Sequence, residues 1–243
     1  MTTSTAVRAA DAHVHRLYAD YSGLPVGVVT QCVQHADTLA QLTWQACPGD
    51  DWAAKARAWH QRHEECVFLL MQRTAQRAQR RREHERTGFA GLVADAGPDV
   101  LDFGGGLGFT ASLLAEAGKR VTYVDVDGPV ARFAQWYLAE CGPSGITVGT
   151  TPADRAELPA GRQWDLVLAE RVLESVPDAG AVAERLAQAL LPGGTLFVVL
   201  DDAAATPLQR PVDVDELLAA APTLRRLQHV LRGDDGRHAF RAD

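Results

Sequence analysis

Apolar residues follow two different patterns along the chain, and the change falls near residue 96. Before that point they recur every three or four positions, which is the period of a helix with one buried face. After it, short apolar runs alternate with helical stretches, which is typical of a doubly wound, mostly parallel sheet. We therefore predict an α/β protein with a helical region in residues 1–95 and a sheet domain in residues 96–243.

Two long helices are predicted in the N-terminal region. Thr30 is placed to cap a helix that runs to about Ala46. A Cys-Pro-Gly break follows, and Asp50 or Asp51 caps a second helix that continues to about Arg86. We expect this region to be either a cap or lid over a ligand or a dimerisation region, so a homodimer through these helices stays open.

The sheet domain is predicted from apolar runs that are bounded by turn residues. Parallel strands are expected at residues 100–103, 120–124, 146–148, 164–169 and 196–200. Helices are expected at Thr110–Ala117 and Asp213–Ala221. The stretches Thr223–Arg232 and Arg237–Arg241 are predicted to form an antiparallel pair of strands around a glycine-containing turn.

Composition narrows the class of protein. A chain of 243 residues with 47% hydrophobic content suits one globular domain with an accessory element. The net charge of −7 argues against a general nucleic-acid surface, and four cysteines without C-x-x-C spacing favour reduced thiols in the cytoplasm. No apolar run approaches a membrane helix, and the first residues lack a signal-peptide core. We expect a cytoplasmic protein whose partners include neither nucleic acid nor a membrane.

A glycine loop directly after the first strand is the clearest chemical signal. Gly104, Gly106 and Gly108 alternate, which removes side chains where the backbone must turn sharply and let a ligand approach. Asp102 ends the strand and is placed to orient the loop or to reach a ligand cation. The dinucleotide fingerprint G-x-G-x-x-G/A fits less well, because one frame meets Phe109 and the other leaves Asp102 unexplained.

Three motifs in the same order resemble one enzyme family. Residues 102–108, D-F-G-G-G-L-G, match motif I (D-x-G-x-G-x-G) of the class I S-adenosylmethionine-dependent methyltransferases. Residues 164–178 and the L-L-P-G-G-T-L stretch at 190–196 resemble two later segments of that family. The resemblance covers residues 98–200 and implies a Rossmann-like methyltransferase fold with a seven-stranded sheet. It also implies S-adenosylmethionine as the methyl donor.

The resemblance assigns donor-binding roles to residues along the strand ends. The glycine loop would pass under the methionine part of the donor. Asp125, which stands about twenty residues after the loop, would bind the ribose, and Val126 would pack on the adenine. Asp154 would accept a hydrogen bond from the adenine amino group. The donor-binding residues predicted are Asp102, Gly104, Gly106, Gly108, Asp125, Val126, Asp154 and Glu170.

Candidate catalytic residues follow the fourth strand. The family's usual histidine is replaced by Ser175, so that position supplies no general base. Glu170 is placed to accept a proton from the acceptor or to pair with a cationic substrate, and Arg171 to clamp a carboxylate or phosphate. The alternative is a salt bridge between the two or toward a lid. Tyr18 and Tyr21 are candidates for acceptor binding, although their segment also suits a helix-to-helix connection.

Two further clusters in the N-terminal region have structural explanations. His60, His63 and Glu64 lie on adjacent helical turns, but no second cluster of ligand-type residues accompanies them. We therefore predict a half-buried helix face and no metal site. The arginines between residues 73 and 86 are expected to form a solvated helix surface paired with glutamates, and not an RNA site.

The function expected is methyl transfer to a small-molecule acceptor. A helical cover without a basic groove favours a small acceptor, and we expect an enzyme of specialised metabolism. The alanine- and arginine-rich composition suggests a bacterial chain. Two alternatives stay open. One is an enzyme of this fold that uses the sulfonium for aminocarboxypropyl transfer or cyclisation. The other is a scaffold protein with a vestigial nucleotide pocket.

Overall fold

The computed structural model describes residues 3–74, 89–153, 157–200, 208–233 and 236–243. The first helices in the described part of the chain are α1 (Thr3–Ser22), α2 (Val26–Gln34), α3 (Ala36–Ala46), α4 (Trp52–Arg62) and α5 (Glu65–Thr74). Within the described ranges these are followed by α6 (Phe89–Asp95), α7 (Phe109–Glu116), α8 (Pro129–Glu140), α9 (Ala179–Gln188), α10 (Val214–Ala220) and α11 (Pro222–Arg226). None of the described helices is long and apolar enough to cross a membrane.

One sheet carries all the described strands. They are β1 (Asp99–Phe103), β2 (Arg120–Val126), β3 (Ile146–Thr151), β4 (Trp164–Glu170), β5 (Leu190–Val199), β6 (Gln228–Arg232) and β7 (Arg237–Arg241). Their order is β3-β2-β1-β4-β5-β7-β6, with the first five parallel and β7 antiparallel to both neighbours. This confirms the predicted doubly wound, seven-stranded sheet. The order reverses between β1 and β4, and such a switch point leaves a crevice at the carboxyl ends of the strands.

The central strands are apolar on both faces because helices cover both sides of the sheet. Alternate residues of β4 enter different cores: Leu166 and Leu168 join one, Val167 and Ala169 the other, and all four are fully buried. The first core also contains residues of α1–α8, whereas the second contains residues of α9–α11. The N-terminal helices therefore share one hydrophobic core with one face of the sheet.

The N-terminal helices are shorter than predicted. Thr30 caps nothing, because it lies inside α2 and its hydroxyl donates to the Val26 carbonyl at 2.9 Å. Asp51 does cap α4, since its carboxylate accepts from the Ala54 amide at 2.7 Å. The second long helix is interrupted at His63, whose backbone is extended (φ −103°, ψ 117°), so that α5 starts as a separate helix. Its predicted continuation through residues 75–86 lies outside the described residues.

The prediction for the C-terminal region was partly wrong. Residues 223–226 belong to α11 and not to a strand, because Pro222 at the first turn has a φ suited to a helix start. The strand begins at Gln228 and pairs with β7 as predicted. The predicted strand at Arg237–Arg241 is confirmed with the same bounds.

Candidate active site

The glycine loop folds into left-handed backbone at three positions. Gly104, Gly106 and Gly108 have φ angles of 67°, 57° and 81°, a region in which a side chain is strained. The Gly104 amide donates to the Val124 carbonyl at 2.8 Å and holds the loop on β2. Gly108 forms the N-terminal cap position of α7. The alternating glycines are therefore required by the backbone conformation itself.

Steric contacts add Gly105, which the sequence analysis passed over. A Cβ at this residue would lie 2.7 Å from both Asp102 Oδ2 and the Tyr123 ring, so no side chain fits. A Cβ at Gly104 would collide with Val172. Gly106 differs, because among the described residues the single atom within 4 Å of its Cβ would be Leu70 Cδ1 at 3.8 Å. The side of Gly106 that a Cβ would occupy is thus open.

Asp125 ties the end of β2 to this loop. Its Oδ2 accepts from the Gly106 amide at 2.8 Å and its Oδ1 from the Val126 amide at 2.7 Å. The Tyr123 hydroxyl donates to the Gly106 carbonyl at 2.7 Å. Burial raises the pKa of Asp125 to about 6, although the two amide donors and the Tyr123 hydroxyl partly oppose that rise. The carboxylate and the glycine loop therefore form one preorganised unit.

A cavity of about 430 Å³ lies above this unit, within the size range of small-molecule sites. Its floor includes Asp102, Gly104, Gly106, Thr110, Asp125 and Val126. Its far wall, at the ends of β4 and β5, includes Glu170, Arg171, Val172, Ser175, Leu208 and Gln209. The structure thus brings together most of the predicted site residues.

The N-terminal helices supply the opposite wall, which the sequence analysis did not resolve into residues. This wall is formed by Trp59, His60, Cys66, Leu69, Leu70 and Arg73. Along α5, the charge of Asp125 contributes to raising the pKa of the Cys66 thiol, after burial and the charge of Glu64. Leu70 faces Gly106, and Arg73 Nη1 donates to Gln209 Oε1 at 3.1 Å. Helix α5 therefore crosses the strand ends from β2 toward the segment after β5.

Glu170 and Arg171 both line the cavity, at the end of β4. Arg171 has φ 54°, the only left-handed residue other than glycine among those described. Its amide donates to the Val199 carbonyl at 2.8 Å, which fixes the turn. Strained backbone of this kind persists only where surrounding structure enforces it, and it concentrates at functional sites. The catalytic roles predicted for Glu170 and Arg171 stay predictions, and the structure places both residues at the cavity.

Tyr18 and Tyr21 do not line the cavity, so the predicted acceptor contact has no support in the structure. Tyr18 is buried, its ring centroid is 5.4 Å from that of Phe133, and its hydroxyl donates to Glu64 Oε2 at 2.6 Å. Tyr21 packs against Phe133 and Trp136 with centroids 5.5 Å apart in both pairs. Aromatic side chains bury large areas, and here that burial joins α1 to α8.

A smaller recess of about 20 Å³ adjoins the cavity and shares Gly104, Asp125, Val126 and Val172 with it. Ala153 also lines this recess. Asp154, the predicted adenine ligand, lies outside the described residues. The recess is lined mainly by apolar side chains beside Asp125 and has room for about one water molecule.

The three residues that were considered as a metal cluster have separate surroundings. Glu64 accepts from Tyr18 and lies 3.8 Å from Arg132 Nη2, whereas His63 Nδ1 is 3.6 Å from Glu65 Oε2. His60 faces the cavity. Among the residues that the structure describes, no group of three or more histidine, cysteine or acidic side chains is arranged to hold a metal.

Comparison with known proteins gives consistent similarities. A family model described as a methyltransferase domain matches residues 50–241. Over 103 residues the chain is 34% identical to a ubiquinone biosynthesis O-methyltransferase of Nitrosospira multiformis, and over 101 residues 36% identical to one of Escherichia coli. Each match covers 42% of this chain and 42% of the relative, so the chain spans less than half the length of these relatives.

Solved structures support the fold. The chain is similar to the N-methyltransferase NodS of Bradyrhizobium japonicum, solved with S-adenosylhomocysteine, with a TM-score of 0.53 and 20% identity. That match covers 67% of this chain and 86% of NodS. At this identity the similarity establishes the shared fold.

Proposed function

The chain belongs to the methyltransferase domain family, and from that premise we propose that it is an S-adenosylmethionine-dependent methyltransferase that acts on a small molecule held in the cavity described above. The observation that carries the proposal is the position of the cavity. It extends from the glycine loop and Asp125 to Glu170 and Arg171, with α4 and α5 across its opposite wall.

The residues present fit the donor. The space beside Gly106, where a Cβ would otherwise stand, is open. Asp125 lies next to it as a half-buried carboxylate that can accept hydrogen bonds from ribose hydroxyl groups. Val126 lines the cavity next to Asp125, where it would pack on the adenine. When bound, S-adenosylmethionine supplies a methyl group that its sulfonium already activates.

The protein's main contribution is then to hold the acceptor in line with that methyl group. Orientation of this kind is worth about 7–11 kcal/mol in well-positioned systems. Trp59, Leu69 and Leu70 form an apolar wall that excludes water and packs on an apolar or planar acceptor. Where the acceptor atom carries a proton, Glu170 is the carboxylate in the cavity wall at the β4 end and is placed to take it.

The charged residues suggest the character of the acceptor. Arg73 and Arg171 both line the cavity, so a guanidinium is available there to bind a carboxylate or phosphate on the acceptor. The relatives named above act in ubiquinone biosynthesis, and we extend to this chain only the general feature of a biosynthetic acceptor. We propose a role in specialised metabolism, because a helical cover without a basic groove favours a small acceptor.

Isotope transfer tests this function directly. The chain is incubated with S-adenosylmethionine that carries a trideuterated methyl group and with a metabolite extract from the producing organism. Mass spectrometry then searches for a small molecule that gains the labelled methyl group, together with S-adenosylhomocysteine. Asp125→Ala serves as the variant without donor binding, and should give neither product.

Other outcomes would redirect the proposal. Label found only in protein or RNA would refute the small-molecule acceptor. Formation of methylthioadenosine in place of S-adenosylhomocysteine would indicate transfer of another group from the sulfonium. Calorimetry that finds no binding of S-adenosylhomocysteine would favour the scaffold alternative.

A further inference from the structure

His60 combines three features that neither the family motifs nor the reaction described above explains. It lines the cavity from the end of α4. Its Nε2 is enclosed and has no hydrogen-bond partner among the residues that the structure describes. Burial lowers the pKa of the imidazole to about 4, so the ring is neutral at physiological pH.

The position of His60 is fixed by its neighbours. The His60 carbonyl packs so tightly against Gly128 that a Cβ at Gly128 would collide with it. The adjacent Trp59 meets the imidazole edge to face at 5.2 Å, and the Trp59 Nε1 donates to Thr43 Oγ1 at 3.1 Å. Helix α4 therefore holds this ring in one place before any ligand binds.

That place is the donor side of the cavity. Gly128 lies three residues after Asp125, at the carboxyl end of β2. Cys66, at the start of α5, is also close enough to Asp125 for that charge to help raise the pKa of its thiol. Glu170 lies at the end of β4, and β1 separates the two strands. With strands about 4.8 Å apart, the β2 and β4 ends are separated by roughly 10 Å. His60 is thus nearer to the predicted sugar site than to the residues placed at the acceptor.

A buried polar atom without a partner costs free energy, and native proteins retain few of them. A neutral imidazole offers one N–H donor and one acceptor nitrogen, which matches the hydroxyl group of a sugar. It also adds no positive charge to a cavity that must accept a sulfonium. A hydroxyl in contact with the ring would give the enclosed nitrogen its partner.

We propose that His60 binds a ribose hydroxyl group of the methyl donor, facing Asp125 across the sugar. Asp125 then acts from the sheet and His60 from the N-terminal helices, so the donor itself joins the two parts of the chain. This inference rests on donor binding in the cavity and not on the identity of the acceptor.

Calorimetric binding of S-adenosylhomocysteine and of its 2′-deoxy and 3′-deoxy analogues tests the contact without turnover. His60→Ala should weaken binding of the parent compound by about 2- to 12-fold, which corresponds to the loss of one neutral hydrogen bond. One of the two deoxy analogues lacks the hydroxyl group that His60 is proposed to bind. The wild type and His60→Ala should bind that analogue equally well. His60→Gln, which keeps a polar group, should recover part of the affinity.

His63→Ala is the matched control, because the same residue type lies three positions later, outside the cavity lining and beside Glu65. It should bind all three compounds as the wild type does. If His60→Ala binds them like the wild type, the proposal is overturned, and a raised KM for the acceptor would then assign the ring to an acceptor hydroxyl instead. A wild-type chain that binds none of the compounds would refute the donor site itself, which is a different failure.

Discussion

The loop has a glycine at position 106 for two reasons, which are the left-handed backbone and the open space beside the residue. Replacing Gly106 by alanine tests the two separately. The Gly106 backbone is held at φ 57° by its amide bond to Asp125 and by the Tyr123 hydroxyl on its carbonyl. Alanine in this left-handed conformation costs about 1–2 kcal/mol. Within the described part of the chain the new Cβ meets Leu70 Cδ1 alone, at 3.8 Å, which is an ordinary van der Waals contact that adds nothing to that cost.

The substitution should weaken donor binding as well as folding. The Cβ would project into the cavity where the methionine part of the donor is predicted to lie. Overpacking a well-filled site by one methyl group costs about 1–3 kcal/mol. That cost corresponds to a roughly 5- to 150-fold weaker affinity for S-adenosylhomocysteine. Calorimetry gives the affinity, and thermal unfolding gives the stability.

Gly118→Ala provides the matched control. Gly118 also has a left-handed backbone, with φ 83°, nothing lies within 4 Å of a Cβ there, and the residue is exposed after α7. Both variants should lose about 2–4 °C in melting temperature for each kcal/mol. Only Gly106→Ala should lose donor affinity. Equal affinity in the two variants would refute the placement of the donor against the loop.

Three other expectations follow from the site and the core. Burial raises the pKa of Asp125 to about 6, and ribose hydroxyl groups favour its ionised form, so the affinity for S-adenosylhomocysteine should rise with pH between about 5 and 7. Asp125→Asn should remove this pH dependence, and a variant with the wild-type pH profile would contradict the assignment to Asp125. Trp164→Phe deletes the buried bond from Nε1 to Thr122 Oγ1 at 3.2 Å and should cost about 1–3 kcal/mol in thermal unfolding, part of which Thr122→Val should restore in the double variant. Glu170→Gln should lower kcat by roughly 10²- to 10⁴-fold for an acceptor that must lose a proton; an unaffected kcat would remove Glu170 as the base.

Local patterns were sufficient for the sheet and the glycine loop. Buried parallel strands are near-continuous apolar runs, so β1, β2 and β4 appear in the sequence within two residues of their observed ends. The alternation of Gly104, Gly106 and Gly108 follows from left-handed backbone, which is a property of each residue alone. Asp125 could be placed because parallel strands end at a common edge, and a fixed spacing in sequence becomes a fixed place in the site.

Contacts between distant segments decided what the sequence left open. Gly105 is required by Asp102 and by Tyr123 on the neighbouring strand, which is a steric relation that no local pattern records. The sequence could not distinguish Tyr18 and Tyr21 from aromatic residues that bind a ligand, and only their packing on α8 did so.

The roles of α4 and α5 were also decided only by the fold. The apolar stripe on α4 and α5 predicts that these helices are buried on one side. It does not predict which surface they cover, since the stripe could pack against any apolar surface of similar width. The break at His63 turns α5 across the strand ends and leaves His60 at the cavity beside Gly128. The sequence by itself thus determined the glycine loop and the acidic residue beside it at the sheet edge, because their pattern lies in short stretches of the chain at a fixed spacing. Tertiary packing alone determined what closes over that edge, because its contacts join residues far apart in the chain, such as Leu70 with Gly106 and Arg73 with Gln209.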